Sequence, residues 1–240
     1  VRWSLAASLI IALLLPLVLG KWTAMIALGL MLALWVITTV FEDLYKRIGG
    51  RDGSVMNRIK IQSLSYYGMQ LAHLGVAVFI IGVTMVKGYE TERDVRMEIG
   101  DTVTAGNYVF RFDGTREIEG PNYRAYQGRV TITENDKLVT QLYPEKRSYN
   151  ASGMPMTEAA IDAGFLRDLY VSLGEPIPDS NGAWAVRVYH KPFIAWIWAG
   201  CFMMVLGGML AISDRRYRIH ARKPKTTAAS DKQPLKEKTA

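Results

Sequence analysis

The sequence predicts a membrane α-helical protein with four transmembrane helices and a small antiparallel β domain, a barrel or a sandwich, inserted on the outer face. Two observations support this fold class. Apolar residues form four long blocks of about 17–21 residues, enough to cross a ~30 Å hydrocarbon core as helices. Between the third and fourth blocks lie about 100 residues with period-two alternation and turn signals, which is typical of short strands.

The four predicted spans cover residues 3–19, 23–40, 66–86 and 193–212. In lipid, a helix satisfies all the backbone polar groups of such a segment internally. The chain therefore divides into two helices with a cytoplasmic loop (1–65), a third helix (66–88), the β domain (89–191), the last helix (192–213) and a basic tail (214–240). The tail has few large apolar residues, and we expect it to be disordered.

Basic residues predict the orientation of the spans. The segment between spans two and three and the tail after span four are both rich in Lys and Arg, which favours the cytoplasmic side. Both termini are then cytoplasmic, and residues 87–192 lie outside. The net charge of +7 comes mostly from these flanks. Since no basic stripe alternates with exposed aromatic residues, the sequence does not indicate nucleic-acid binding.

The outer domain reads as mostly β. Alternating runs at 107–112, 129–133, 138–143 and 184–189 predict strands, with the second and third joined as a hairpin through the turn at 134–137. Further turns are expected at 100–101 and 181–182, and one short helix at 157–163. The domain has no cysteine, no metal-ligand cluster and no Ser-His-Asp set, so we assign no catalytic residue to this chain.

His73 is the strongly ionisable side chain within the third span. An intramembrane histidine generally faces protein or a cavity, because exposing it to lipid is unfavourable. Tyr66, Met69, Gln70, Ala77 and Ile80 share its helical face, and several neighbours are glycine or alanine, which permit close approach. Three interpretations remain open from the residues alone. His73 is hydrogen-bonded to another helix, relays protons, or ligates haem iron.

Spacing limits which histidines can act together. His73 lies about 20 Å below the outer surface, whereas His190 lies at that surface as an interfacial polar residue, so the two cannot share one iron. His220 is in the tail, so a bis-histidine haem would need a second ligand from outside this chain. The single cysteine, Cys201, lies in span four, and the absence of a CxxCH motif excludes a c-type cytochrome.

Several short motifs resemble the C-terminal part of the CcmF haem lyase family of bacterial cytochrome c maturation. They are residues 71–75 (LAHLG), 92–97 (ERDVRM), 120–124 (GPNYR), 143–147 (YPEKR), 156–162 (MTEAAID), 167–170 (RDLY), 182–187 (GAWAVR) and 191–198 (KPFIAWIW). The resemblance covers residues 60–218 in one unbroken order. The related nitrite-reductase haem lyase subunit shares much of it and stays a second assignment within the family.

The resemblance implies an activity, a cofactor and partners. Family members attach haem to the CxxCH cysteines of apocytochrome c, take it from the chaperone CcmE, and work with CcmH and CcmI in the bacterial inner membrane. They hold a resident haem b between two transmembrane histidines, with quinol as the expected electron source. The match at 71–75 assigns one of these axial ligands to His73. The β domain is then periplasmic.

The chain also departs from the family. The tryptophan-rich outer-face motif, its flanking histidines and the other transmembrane ligand do not occur in this sequence. Because it begins with Val1, we expect a fragment that contributes to a haem lyase without completing catalysis alone. The alternative function is a non-enzymatic, membrane-anchored periplasmic interaction or scaffold protein.

Overall fold

The computed structural model describes residues 2–49, 54–151, 153–180 and 182–214. Its helices are α1 (Arg2–Val18), α2 (Ala24–Ile48), α3 (Val55–Ile61), α4 (Leu64–Tyr89) and α5 (Ile194–Ser213). Its strands are β1 (Thr91–Met97), β2 (Thr102–Ala105), β3 (Tyr108–Glu119), β4 (Tyr123–Glu134), β5 (Lys137–Leu142), β6 (Glu145–Tyr149), β7 (Pro155–Glu158), β8 (Ala160–Ala163), β9 (Arg167–Pro176) and β10 (Trp184–Pro192).

Three helices, α2, α4 and α5, are long and apolar enough to cross a membrane. The remaining apolar helix, α1, has 17 residues, at the short end of what a bilayer requires. Hydroxyl side chains cap two of the starts. Thr23 accepts a hydrogen bond from the Ile26 amide at the beginning of α2, and Ser63 accepts one from the Tyr66 amide at the beginning of α4.

The long helices pack in a row, with α1 against α2, α2 against α4, and α4 against α5. Glycines bring α4 and α5 into backbone contact. A Cβ atom added at Gly75 would lie 2.8 Å from the Gly200 carbonyl oxygen, and one added at Gly207 would lie 2.5 Å from the Gly68 carbonyl oxygen. Since real Cβ atoms do not approach so closely, these glycines determine the distance between the two helices.

The β domain is a sandwich of two antiparallel sheets. One sheet has the order β1-β10-β9-β8, and the other has the order β2-β3-β4-β6-β7, with β5 paired to β4. Alternate side chains of both sheets meet in one core. Its fully buried large residues include Phe110, Phe112, Ile132, Leu169, Leu173, Val186 and Val188. The structure thus confirms the antiparallel β domain and decides between its two predicted forms.

The sandwich is inserted between α4 and α5. β1 follows α4 directly and pairs with β10, which leads into α5, so Thr91 lies opposite His190. Phe193 joins β10 to α5 with φ +60°, a left-handed conformation that turns the chain sharply. These paired strands place the sandwich at one end of α4 and α5.

Most predicted elements agree with the structure, and one is wrong. The 134–137 turn joins β4 to β5, as predicted. The predicted helix at 157–163 is instead two strands, β7 and β8, because pairing with β6 and β9 outweighs the helix preference of Glu158, Ala159 and Ala160. α3 was not predicted. Asn181 and the tail beyond Asp214 lie outside the described residues.

Candidate functional site

His73 lies near the middle of α4 with its side chain exposed on the surface of the helix row. Its Nδ1 is 2.7 Å from the carbonyl oxygen of Met69. A carbonyl can only accept, so Nδ1 carries the proton and donates it. The lone pair of a neutral ring is then on Nε2, which makes no hydrogen bond within the described part of the chain. The helix therefore presents a ring nitrogen outward that is able to bind a metal.

The surface around this ring is apolar. Met69, Val76 and Val83 share the exposed stripe of α4 with His73 and are 44%, 37% and 38% exposed, respectively. Their spacing of three, four and seven residues places them along one side of the helix. Between Met69 and Val83, His73 is the one ionisable group on this stripe, which would suit a flat apolar ligand or another helix.

The opposite side of α4 is held by α5. Gly68, Gly75 and Gly82 recur every seven residues and all contact α5 backbone or side-chain atoms. At one end of this contact, a carboxylate oxygen of Asp214, just past α5, accepts a hydrogen bond of 3.1 Å from the Ser65 amide in the first turn of α4. These contacts leave α4 little freedom to rotate, which determines the direction of the His73 ring.

A polar cluster ties α4 to α2 below His73. One carboxylate oxygen of Asp43 accepts hydrogen bonds from the Tyr66 hydroxyl at 2.9 Å and from the Gln70 amide at 2.7 Å. Arg47 lies over the Tyr66 ring at 4.3 Å and pairs with Asp43 at 3.3 Å. Sequence reasoning missed this cluster. The sequence does contain one indication of it. Asp43 lies four residues before Arg47, the spacing of an ion pair on a helix, in the polar last part of α2.

The predicted face around His73 is split in the structure. Met69 does accompany His73, but Tyr66, Gln70 and Ala77 are buried, with the first two bonded to α2. Ile80 is half-buried. Successive residues are about 100° apart around a helix. Met69 and Gln70, four and three residues before His73, can therefore face different neighbours.

His190 lies half-buried at the base of the sandwich, close to where β10 leads into α5. Its ring lies 5.4 Å from that of Tyr108, and its Nδ1 is buried without a hydrogen-bond partner among the described residues. Burial lowers the pKa of His190, and the nearby Arg167 cation lowers this pKa further. About 24 Å of α4 separates His73 from this end of the helix, so the two rings cannot meet.

The remaining candidates form no further site. Cys201 is partly buried within α5. Across residues 2–49, 54–151, 153–180 and 182–214, no three His, Cys, Asp or Glu side chains are placed to hold a metal ion together. His73 is therefore the ligand candidate that the described fold presents.

Comparisons with known proteins identify the domain that the fold shows. Residues 88–192 match the family described as the CcmF C-terminal β-sandwich. The chain is 46% identical over 215 residues to cytochrome c-type biogenesis protein CcmF of Pseudomonas aeruginosa, which covers 90% of this chain. It is also 46% identical to CcmF of Escherichia coli over 92% of the chain, and 35% identical to NrfE of Haemophilus influenzae over 64%.

A solved structure has the same fold. The chain superimposes on a cytochrome c haem lyase CcmF with a TM-score of 0.67 at 16% identity, over 87% of this chain and 34% of that one. It spans about a third of the length of the Pseudomonas aeruginosa and Escherichia coli relatives, at 32% and 33%. With the sandwich at 88–192 and the flanking apolar helices in place, the chain belongs to the CcmF family and corresponds to its C-terminal part.

Proposed function

We propose that this chain is part of a haem lyase of cytochrome c maturation and that His73 is an axial ligand of a resident haem b. The observation that supports this most directly is the outward ring of His73, with Nδ1 engaged by the Met69 carbonyl and Nε2 left for a metal. Neutral imidazole is a standard axial ligand of haem iron. A histidine that binds a metal usually donates its other ring N–H to a carbonyl or carboxylate oxygen, as His73 does to Met69.

The surroundings of His73 fit a haem. Met69, Val76 and Val83 offer an apolar surface beside the ring, as a macrocycle requires. The glycine contacts with α5 and the Asp43 cluster with α2 keep α4 and its imidazole in one orientation. A bound haem b would supply one-electron redox chemistry. A second ligand would have to come from outside this chain, because His190 lies on β10, beyond the end of α4 that is about 24 Å from His73.

The family assignment supports a wider proposal for the function. The assembled lyase transfers haem from haem-loaded CcmE to apocytochrome c, reduces it through the resident haem b with quinol as the electron source, and works with CcmH and CcmI. In this proposal the chain is a multi-pass protein of the bacterial inner membrane. Its termini are cytoplasmic and its sandwich periplasmic, in agreement with the basic residues between spans two and three and after span four.

The test is a reduced-minus-oxidised absorption spectrum of the detergent-solubilised chain, co-expressed with the remaining part of a CcmF relative. The variant His73→Ala is measured beside the unmutated chain. Val76→Ala, on the same exposed stripe, controls for packing, and His190→Ala controls for loss of an unrelated histidine. We expect a b-type spectrum that weakens or shifts in His73→Ala alone.

The other outcomes assign the ligand elsewhere. A spectrum unchanged in His73→Ala would mean that another residue binds the iron, and this assignment of His73 would be wrong. Loss of the spectrum in both His73→Ala and Val76→Ala would indicate a packing role for this stripe. Absence of haem from every form would favour the alternative function, a membrane-anchored interaction scaffold.

One observation favours that alternative. An open cleft of about 590 Å³ lies at the end of the sandwich remote from the helices, and Tyr126 and Trp184 pack together in it at 5.3 Å. Lys146 and Glu175 pair across its rim at 2.7 Å. If the protein acts as a scaffold, Tyr126→Ala should abolish cytochrome c maturation while His73→Ala leaves it intact.

A further inference from the structure

The turn between β8 and β9 is made of Gly164, Phe165 and Leu166 and carries two large apolar side chains on its surface. Phe165 is 67% exposed and Leu166 is 57% exposed. The turn itself is well defined, since the Gly164 amide donates to the Asp168 carboxylate at 3.1 Å. Surface turns are usually built from small or polar residues, so this pair requires an explanation.

Strand register places this turn beside the start of α5. β9 pairs with β10 so that Arg167 lies opposite Pro192, the last residue of β10. The turn therefore extends past the end of β10, in the direction the chain takes into the helix. The Phe193 amide donates to the Leu166 carbonyl at 2.8 Å, and the Phe165 ring lies 5.7 Å from that of Trp196. Phe165 and Leu166 are thus level with the first turn of α5.

The other turns at this end of the sandwich differ in character. Tyr108, at the start of β3, packs against His190 and pairs with Glu134, at the end of β4. The β2–β3 turn and the β4–β5 turn therefore lie at the same end of the sandwich as the β8–β9 turn. They carry Asn107 in one case and Asn135 with Asp136 in the other. Among these three turns, the apolar one is the turn in contact with the membrane-spanning helix.

We propose that the β8–β9 turn inserts Phe165 and Leu166 into the lipid bilayer next to α5 and anchors the sandwich to the membrane surface. The occupant is phospholipid because the turn is level with the first turn of an apolar helix long enough to cross a membrane, and Phe165 packs on Trp196 of that helix while staying 67% exposed. The ion pair of Asp162 with Arg167 flanks the turn at 2.5 Å, at the level where lipid headgroups begin. An apolar tip with polar flanks is typical of interfacial anchors.

The anchor constrains how the sandwich is held. Without it, the sandwich would be tied to the membrane through the two strands that continue into α4 and α5. A third attachment, at the β8–β9 turn, would restrict tilting of the sandwich about these two strands. The anchor requires neither haem nor His73, since it depends on the register and exposure of the turn.

Depth can be measured with spin labels on the full chain in phosphatidylcholine nanodiscs. In a Cys201→Ala background, single cysteines replace Phe165 or Leu166, and accessibility to oxygen is compared with accessibility to a water-soluble nickel chelate. Phe202→Cys, on the exposed side of α5, is the lipid reference. Met154→Cys is the water reference, because Met154 is 73% exposed near the opposite end of the sandwich.

We expect labels at both turn positions to shift from the Met154 value toward the Phe202 value, with high oxygen and low nickel accessibility. Nickel accessibility equal to that of Met154 would place the turn in water and overturn the proposal. Shielding from both reagents would also overturn it, since protein and not lipid would then cover the turn. Circular dichroism of each labelled chain checks that the fold is retained.

Discussion

The two halves of this chain are held together in opposite ways. In the sandwich, large side chains such as Phe110 and Phe112 are completely buried between the sheets. Between α4 and α5, the contact is made where side chains are missing, and Gly75 lies against Gly200. Burying apolar area drives association in water, whereas lipid is as apolar as the helices, so close packing and polar ties must do so in the membrane.

This difference predicts opposite sensitivities. Removing side-chain volume should damage the sandwich and matter less between α4 and α5, where little volume exists. Adding volume should damage the helix contact at a glycine that touches backbone. The first two variants below separate these effects, and each has a matched control in the same region.

The largest effect is expected from Phe112→Ala in the sandwich. Phe112 is fully buried, and truncating such a residue removes its transfer free energy and leaves a cavity, which costs about 3–5 kcal/mol of unfolding free energy. Urea unfolding of the detergent-solubilised chain, followed by near-ultraviolet circular dichroism, measures the change. Leu138→Ala is the control, because Leu138 is 65% exposed and should shift the midpoint little. Equal shifts in both variants would contradict the sandwich core described above.

The next effect is expected from Gly200→Ala in α5. The added Cβ would lie 2.6 Å from the Gly75 carbonyl oxygen and the Phe79 amide nitrogen, so the helices must separate, at about 1–3 kcal/mol. Gly208→Ala, two turns along α5, meets nothing within 4 Å and should be neutral or slightly stabilising. Unfolding in a titration with sodium dodecyl sulfate measures both. A larger loss of stability in Gly208→Ala than in Gly200→Ala would show that glycine contacts do not hold α4 and α5 together.

Local pattern was enough to predict the four apolar helices and to select His73 as a candidate ligand, because apolar length and an ionisable residue within it are both visible in the sequence. It was not enough at 157–163, where Glu158 and the alanines favour a helix locally but pair as strands. Asp43 was also missed. Its partners Tyr66 and Gln70 are more than twenty residues away and are brought near only when α2 and α4 pack.

A smaller effect is expected from Asp43→Ala, which removes the polar tie between α2 and α4. Tyr66 and Gln70 would each lose an acceptor, and hydrogen bonds between membrane helices are worth about 1 kcal/mol. The same detergent titration applies, with Gln70→Leu alone and combined with Asp43→Ala. Because Gln70 and Asp43 share one bond, their effects should not add. Additive effects would show that the Gln70 bond contributes nothing to stability.

The smallest effect is the pH dependence of unfolding stability caused by His190. It tests whether the His190 ring stays neutral in the folded sandwich, as its partial burial implies. The pKa of His190 in the folded chain is lowered, first by burial and then by Arg167, with a weaker opposite influence from Glu134. The unfolded chain therefore takes up a proton near the ordinary histidine pKa of about 6.5, while the folded chain does so only at lower pH. Stability should be unaffected above this window and should fall as the pH drops through it, with a slope bounded by one proton.

Thermal unfolding of the sandwich measures the slope, which should be smaller in His190→Asn and unchanged in His73→Ala, since the His73 ring lies on α4 away from the sandwich. An unchanged slope in His190→Asn would mean that folding does not change the pKa of His190, and that another group produces whatever pH dependence the sandwich has.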